Sequence, residues 1–249
     1  MTQPLPGWGL LELARLAFIF VTQYSMSYLV REGRLRVNYS RKVAHFSHIL
    51  STLLINRTFL DYSIQYFAIS GTLSLLQILL FSEPIRSRVP LLEFFFLSYD
   101  RPEDRPHTVR LAFTQLLAMN SVLVGMALLY QHSGLPLDLL AIPMFITAFG
   151  DGLAEPVGVR FGRNKYEVTG LFTDRVYTRS FEGSAMVTLS TIAAFIIFGY
   201  LFTPGQLLMM IIFMPILMTV TEAWAPHTWD NPFIYGVAGA VIYAVMMLA

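Results

Sequence analysis

Two carboxylates one helical turn apart stand out among the residues that could do chemistry. Asp151 and Glu155 are four positions apart, so they share one face of a helix. Carboxylate oxygens are preferred ligands of Mg²⁺, usually one or two of them together with phosphate oxygens. Nearby glycines remove side chains, which allows close helix packing or the close approach of a ligand. These glycines are Gly150, Gly152, Gly158 and Gly162.

A second group combines two cations with two histidines in the sequence Arg41-Lys42-Val-Ala-His45-Phe-Ser-His48. A helix that starts near Ser40 would place Arg41, His45 and His48 on one face. Arg41 and Lys42 suit the phosphates of a nucleotide, but they equally suit anchors at a membrane surface. For His48, a hydrogen bond between helices is favoured over a role as a ligand.

A third group is the sequence Arg179-Ser-Phe-Glu-Gly-Ser184, which enters a predicted helix. Glu182 stands at the helix start, where it could act in catalysis or serve only as a cap. Arg179 is either a surface anchor or part of an anion site together with Arg175 and the amides of the helix N-terminus. Gly183 and Ser184 follow directly in the first turn.

A fourth group lies between the last two apolar segments of the chain. It brings Glu222, His227, Asp230 and Asn231 to one end of those segments. Trp224 and Trp229 in the same stretch are typical of the aromatic belt at a membrane interface.

Carboxylates and cations of this kind predict a divalent metal and a phosphorylated ligand. Phosphoryl transfer needs charge neutralisation by metal and basic groups, and an acceptor held in line with the transferred phosphate. The sequence has neither a Walker A lysine motif nor the protein-kinase signature set. A nucleotide site here would therefore be of another type.

The composition places these groups on membrane helices. Of the 249 residues, 55% are hydrophobic and 13% are charged, with a mean hydropathy of +0.57. Soluble domains carry about 25% charged residues. The net charge of +1 shows no nucleic-acid footprint, and the absence of cysteine excludes disulfides and thiolate chemistry.

The hydropathy pattern predicts an all-α, polytopic integral membrane protein with about eight transmembrane helices in a single domain over residues 1–249. No internal repeat is evident, and the N-terminus lacks the basic region of a signal peptide. The predicted segments are Trp8–Val30, Val43–Leu60, Tyr62–Phe81, Val109–Gln131, Leu137–Val159, Gly183–Phe202, Gly205–Glu222 and Asn231–Leu248.

The loops between the segments alternate in charge. Residues 31–42, 86–110 and 160–179 hold 15 of the 17 Lys and Arg residues. By the positive-inside rule the odd-numbered loops, which include 31–42, 83–108 and 160–182, are cytoplasmic, so the four motif groups face the cytoplasm and both termini face the other side. We also predict that the long segment Ser82–Thr108 is a solvated cytoplasmic loop with an amphipathic stretch and is not catalytic, because it carries mixed charges and none of the motifs.

This topology predicts that residues 103 and 133 lie on opposite sides of the membrane. The chain has no cysteine, so Glu103→Cys and Ser133→Cys can each be labelled without background. In intact cells, a membrane-impermeant maleimide should react at position 133 and reach position 103 only after permeabilisation. Equal labelling of both sites in intact cells would overturn the topology.

The four groups, in this order, resemble the motifs of the CTP-dependent lipid-alcohol kinases. The matching patterns are RKxxH from Arg41, GDGxAxxxGxxFG from Gly150, [KR]SxEGS from Arg179 and ExxxxxxxDN from Glu222. That family includes phytol and farnesol kinases, dolichol kinase and CTP-using diacylglycerol kinase, and is distantly related to phosphatidate cytidylyltransferases. The similarity covers residues 41–231.

The resemblance implies transfer of the γ-phosphate of CTP to a membrane lipid alcohol, with Mg²⁺ as cofactor and the active site on the cytoplasmic face. It points to His45, Asp151, Glu182, Glu222 and Asp230 as site residues. Within that picture we expect catalysis by Asp151, His45, Glu182 and Asp230. We expect metal binding by Asp151 with Glu155 or Asp230, and Glu222 is a further candidate ligand. The resemblance assigns nucleotide binding to Arg41, Lys42, Gly150, Gly152, Gly158, Arg179, Gly183, Ser184 and Asn231.

Two departures from the family motifs leave the identity of the lipid acceptor open. Arg179 stands where a lysine is usual, and Glu155-Pro156 replaces the pair expected in phytol kinases. A cytidylyltransferase would use the same groups but release pyrophosphate instead of CDP. A transporter would instead show polar residues near the bilayer midplane and inverted repeats. A homodimer is compatible with the sequence, and a nucleic-acid partner is not expected.

Overall fold

The computed structural model describes residues 6–55, 63–170, 176–227 and 229–248, and most of them are helical. The first five helices are α1 (Pro6–Arg31), α2 (Val37–Ile55), α3 (Ile64–Leu80), α4 (Glu83–Arg86) and α5 (Pro90–Phe96). The next three are α6 (Thr108–His132), α7 (Ala141–Ile146) and α8 (Gly152–Phe161). The strands β1 (Lys165–Thr169) and β2 (Val176–Ser180) precede α9 (Phe181–Ile197), α10 (Pro204–Trp224) and α11 (Asp230–Leu248).

Within the described residues, five apolar stretches are long enough to cross a membrane, which supports the prediction of a helical membrane protein. They are Gly9–Arg31, Thr108–His132, Leu137–Phe161, Pro204–Trp224 and Asp230–Leu248. The apolar helices α3 and α9 are shorter, and α2 is not among the five. The predicted count of eight spans is therefore not confirmed. The ends of the second and third predicted segments, at Leu60 and Tyr62, lie outside the described residues.

The chain divides into two compact units, residues 1–117 (unit 1) and residues 118–249 (unit 2). In unit 1, α1 packs against α2 and α5. In unit 2, α9 packs against α8 and α10, and α11 packs against α10 and α7. The prediction of a single domain stays a prediction.

The loop Ser82–Thr108 is more ordered than its charges suggest, so the prediction of a solvated loop is wrong for part of it. Phe95 and Phe96 of α5 are buried in an apolar cluster with α3. Arg101 and Asp104 are buried and form an ion pair of 2.8 Å, and Arg41 of α2 lies 3.6 Å from the same carboxylate. A mixed-charge segment can bury its charges when each meets a partner of opposite sign.

Replacing Asp104 by alanine should destabilise unit 1 without abolishing turnover. Arg101 would keep its buried charge and lose its closest partner, which costs about 3–5 kcal/mol for buried ion pairs. The measurement is thermal unfolding of purified protein alongside turnover per folded molecule. Asp100→Ala, which removes the carboxylate that pairs with the exposed Arg105, is the matched control with a smaller expected loss. Loss of turnover in a well-folded Asp104→Ala protein would place catalysis in this loop.

Candidate functional site

The predicted acidic and glycine-rich group lies where the chain changes from α7 to α8. A π-helical turn, Thr147–Asp151, joins the two helices and carries Asp151 at its last position. Single π-helical turns inside α-helices are often found at functional sites. Asp151 is buried at 8% exposure, and Glu155 is half-buried one turn later.

Three of the predicted glycines allow α8 and the preceding turn to pack closely on α9. A Cβ atom at Gly150 would lie 3.2 Å from Val187 Cα, and one at Gly183 would lie 2.7 Å from the Ala154 carbonyl oxygen. A Cβ atom at Gly158 would lie 2.8 Å from the serine hydroxyl that caps α9. The structure thus gives these glycines a packing role, one of the two roles that the sequence allows. Gly152 is also buried, and nucleotide contacts at these positions stay a prediction.

The segment 160–182, predicted as a loop, contains a β-hairpin in which Tyr166 pairs with Arg179. The backbone N–H of His227 donates a 2.9 Å hydrogen bond to the Thr169 carbonyl oxygen. The His227 ring stacks on Tyr177 at a centroid distance of 3.8 Å. These contacts fix the hairpin to the connection between α10 and α11. Arg175, part of the predicted anion site, lies outside the described residues.

Arg179 is the centre of the site in unit 2. Its Nη1 donates to Glu222 Oε1 at 2.8 Å and to the Glu222 carbonyl oxygen, and its Nη2 donates to Asp230 Oδ2 at 3.3 Å. The side chain is only 11% exposed. Burial by itself lowers the pKa of Arg179, but the charges of Asp230 and Glu222, with smaller contributions from Tyr166 and Asp151, outweigh it and raise the pKa. The guanidinium therefore stays charged and joins β2 to the end of α10 and the start of α11.

Two hydroxyl groups extend this network toward α9. Ser184 Oγ donates to Glu222 Oε2 at 2.9 Å, and the Tyr166 hydroxyl lies 2.7 Å from Ser184 Oγ. Burial, and then the charge of Glu222, raise the pKa of Tyr166, so the phenol remains protonated at neutral pH. Tyr166 was missed in the sequence, because nothing near it along the chain marks it as a partner of Ser184. Its strand pairing with Arg179 is the contact that brings it to the site.

Asn231 adds a buried acceptor beside these acids. Its backbone N–H donates to Asp230 Oδ1 at 3.1 Å, and the residue is 4% exposed. The side-chain Oδ1 of Asn231 is buried without a hydrogen-bond partner within the described residues. A buried acceptor in this state is one that a bound cation or donor would satisfy.

Glu182 has the geometry of a residue that anchors the start of α9. Its Oε1 accepts hydrogen bonds of 3.2 Å from the backbone N–H and the side-chain amide of Asn164. Its own backbone N–H, followed by those of Arg163 and Asn164, lowers the pKa of the Glu182 carboxyl. Ser180 caps the same helix by accepting from the Gly183 N–H at 3.1 Å. These contacts favour the capping alternative, and a catalytic role for Glu182 stays a prediction.

The remaining predicted residues belong to unit 1. As predicted, Arg41, His45 and His48 lie in one helix, although α2 begins at Val37 instead of near Ser40. Lys42 is buried, Arg41 faces Asp104, and the His45 ring packs edge-on against Phe46. His48 lies in electrostatic range of Arg15 and of His45, as expected for a histidine that faces another helix.

No group of three or more Asp, Glu or His side chains within the described ranges has the geometry of a metal site. Both oxygens of Glu222 already accept hydrogen bonds, from Arg179 and Ser184. Mg²⁺ often takes one or two carboxylates and completes its shell with water and phosphate. A site of that mode needs only one or two of the acids of unit 2, so metal binding by Asp151, Glu155 or Glu222 stays a prediction.

No protein-family model, curated protein or solved structure matches this chain. The resemblance to lipid-alcohol kinases therefore depends on the four motif groups, and the activity that it implies is a proposal.

Proposed function

We propose that this protein is a membrane kinase that transfers the γ-phosphate of CTP, or of another nucleoside triphosphate, to the hydroxyl of a lipid alcohol. The acceptor is an isoprenoid such as phytol, farnesol or a polyprenol. One observation carries the proposal. Arg179 of one motif group forms ion pairs with Glu222 and Asp230 of another, 43 and 51 positions later, and the charge of Asp151 from a third group, 28 positions earlier, acts on the same guanidinium.

The charge balance around Arg179 supports a divalent cation and a phosphorylated ligand. Asp151, Glu222 and Asp230 are three carboxylates opposed to one guanidinium. Asp151 and Asp230 would hold Mg²⁺, with Asn231 Oδ1 beside them. When bound, the cation neutralises charge on the phosphates. Arg179 binds a phosphate by exchanging its longer contact, the 3.3 Å bond to Asp230, for a phosphate oxygen.

The proposed step forms a bond from the alcohol oxygen to the γ-phosphorus and breaks the bond from that phosphorus to the β–γ bridging oxygen. CDP leaves with that oxygen, and a lipid monophosphate is formed. The proton of the alcohol passes either to a carboxylate, such as Asp151, or to His45, and both acceptors remain open. The motif resemblance alone assigns Arg41 and Lys42 of unit 1 to nucleotide binding.

The test is incubation of purified protein with Mg²⁺, γ-labelled CTP and each of phytol, farnesol and a polyprenol. The proposal expects labelled lipid monophosphate and an equal amount of CDP. Asp138→Asn is the matched control for substitutions of Asp151. Asp138 lies at the other end of the stretch Leu137–Phe161 from the glycine-rich group, so its substitution should leave turnover unchanged. Release of pyrophosphate with transfer of CMP would instead identify a cytidylyltransferase.

A transporter is the second candidate, because polar side chains lie at membrane depth in unit 1. Glu12, Arg15 and Gln23 are buried within the span Gly9–Arg31. Such residues in a span often mark a pathway for a polar solute. Absence of any nucleotide product with every alcohol, together with solute flux into liposomes that contain the protein, would favour this alternative.

A further inference from the structure

Polar side chains occupy the buried faces of α1 and α3 in unit 1. The buried positions of α1 recur at residues 12, 15, 19, 23 and 27, and of these only Ile19 is apolar. The opposite face of α1 exposes large apolar residues such as Leu13, Phe18 and Val21. A membrane helix with its polar side inward faces a protein interior or a polar site, because exposure of that side to lipid is costly. The polar members are Glu12, Arg15, Gln23 and Ser27 on α1, and Tyr66, Ser70, Ser74 and Gln77 on α3.

The two polar faces meet in register. Glu12 interacts with Tyr66, and Gln23 is hydrogen-bonded to Gln77. The Gln23–Gln77 pair lies 11 residues after the Glu12–Tyr66 pair along both helices, so α1 and α3 run in the same direction over about 16 Å. We call this row of polar contacts the α1–α3 seam.

At one end of the α1–α3 seam, the charged side chains Glu12 and Arg15 pair with each other. Arg15 Nε donates to both oxygens of Glu12, at 3.0 and 2.9 Å. The Tyr66 hydroxyl, next to Ser70, lies beside Glu12, and His48 lies in electrostatic range of Arg15. A buried ion pair with this many partners is satisfied without a ligand.

The other end of the seam carries one donor and one acceptor that are not used. Gln77 Nε2 donates to Gln23 Oε1 at 3.1 Å, and Gln23 is 2% exposed. Gln23 Nε2 and Gln77 Oε1 are both buried without a hydrogen-bond partner in the described part of the chain. Rotating both amides by 180° exchanges their oxygen and nitrogen atoms but still leaves one donor and one acceptor. Unpaired polar groups are particularly costly inside a membrane, so a ligand that satisfies both would be stabilised.

We propose that Gln23 and Gln77 bind the hydroxyl group of a membrane lipid alcohol. A hydroxyl both donates and accepts, so one such group satisfies the two unused amide atoms. Gln77 lies three residues before the end of α3, and Gln23 lies eight residues before the end of α1. Both ends lead into loops predicted to be cytoplasmic, so the lipid chain would extend from this depth into the bilayer. The identification of this lipid as the phosphate acceptor rests on the proposed function.

The experiment measures binding to full-length protein in nanodiscs, without nucleotide. The probes are radiolabelled phytol and phytane, a hydrocarbon with the same skeleton and no hydroxyl. Gln23→Leu and Gln77→Leu should each weaken phytol binding about tenfold and leave phytane binding unchanged, since each removes one hydrogen bond to the hydroxyl. Ser25→Ala and Thr72→Val are controls on the same helices, because each hydroxyl bonds a carbonyl of its own helix.

The double variant Gln23→Leu/Gln77→Leu controls for misfolding of the single variants, because replacement of both partners by apolar groups leaves no unpaired amide. It should fold and bind phytol no better than either single variant. Equal affinity of wild-type protein for phytol and phytane would overturn the proposal and would assign the two amide atoms to water. Unchanged phytol affinity in the double variant would overturn it as well. Selective loss of phytol binding in the variants, combined with a wild-type protein that makes no lipid phosphate, would support this inference and refute the kinase.

Discussion

Asp151→Asn is expected to lower kinase turnover by about two orders of magnitude or more, as removal of other key electrostatic groups does. The carboxylate is buried at the end of the π-helical turn and adds negative charge near Arg179. Asparagine keeps the shape of the side chain but removes the charge that would hold Mg²⁺. The measurement is turnover as a function of Mg²⁺ concentration for both proteins.

Folding of the Asp151→Asn protein should be intact, because the substitution removes a buried acid and leaves its neighbours in place. Thermal unfolding measured in parallel checks this point. Glu155→Gln is a comparison one turn away on a half-buried residue, and it should affect turnover less. A normal rate with normal Mg²⁺ dependence in Asp151→Asn would make Asp151 a packing residue and would move the metal site to Glu222 and Asp230.

Arg179→Met is expected to lower both stability and turnover. The substitution leaves Glu222 and Asp230 buried without their cation, and removal of one partner of a buried ion pair costs about 3–5 kcal/mol. Turnover should fall further than folding explains, since the proposed phosphate contact is lost. The measurements are thermal unfolding and the KM for CTP on the folded fraction.

Two further variants separate the structural role of Arg179 from its role with the ligand. Arg179→Lys keeps the charge but lacks the planar fork that reaches both carboxylates, so it should recover stability only in part. Arg163→Met removes an exposed cation of the same segment and should leave stability unchanged. Wild-type stability in Arg179→Met would show that the network around Arg179 does not hold the hairpin to α10 and α11.

The membrane class and most helices could be predicted from the sequence because they depend on local properties. A run of apolar residues such as 109–131 is long enough to span a bilayer by its own composition, and the structure has α6 there. The shared helix of Arg41, His45 and His48 follows from spacing alone. His48 lies in electrostatic range of Arg15 of α1, and the hydrogen bond between helices expected for it stays a prediction.

Other features were missed because their partners are far apart along the chain. Arg179 and Glu222 are separated by 43 positions, and no local pattern states that they form an ion pair. The sequence predicts Asp104 as a solvated acid, whereas in the structure it pairs with Arg101 and Arg41. Tyr166 becomes part of the site only through the register of the hairpin.

The sequence by itself thus determined where the chain is apolar enough to enter a membrane and which residue types could do chemistry there. Hydropathy and helical spacing are set by neighbours within a few turns, so they can be read along the chain. Only the tertiary structure decided which charges neutralise each other and which polar atoms, such as Gln23 Nε2 and Asn231 Oδ1, are buried without a hydrogen-bond partner among the described residues. The physical reason is that burial and ion pairing depend on packing between helices that are distant in sequence.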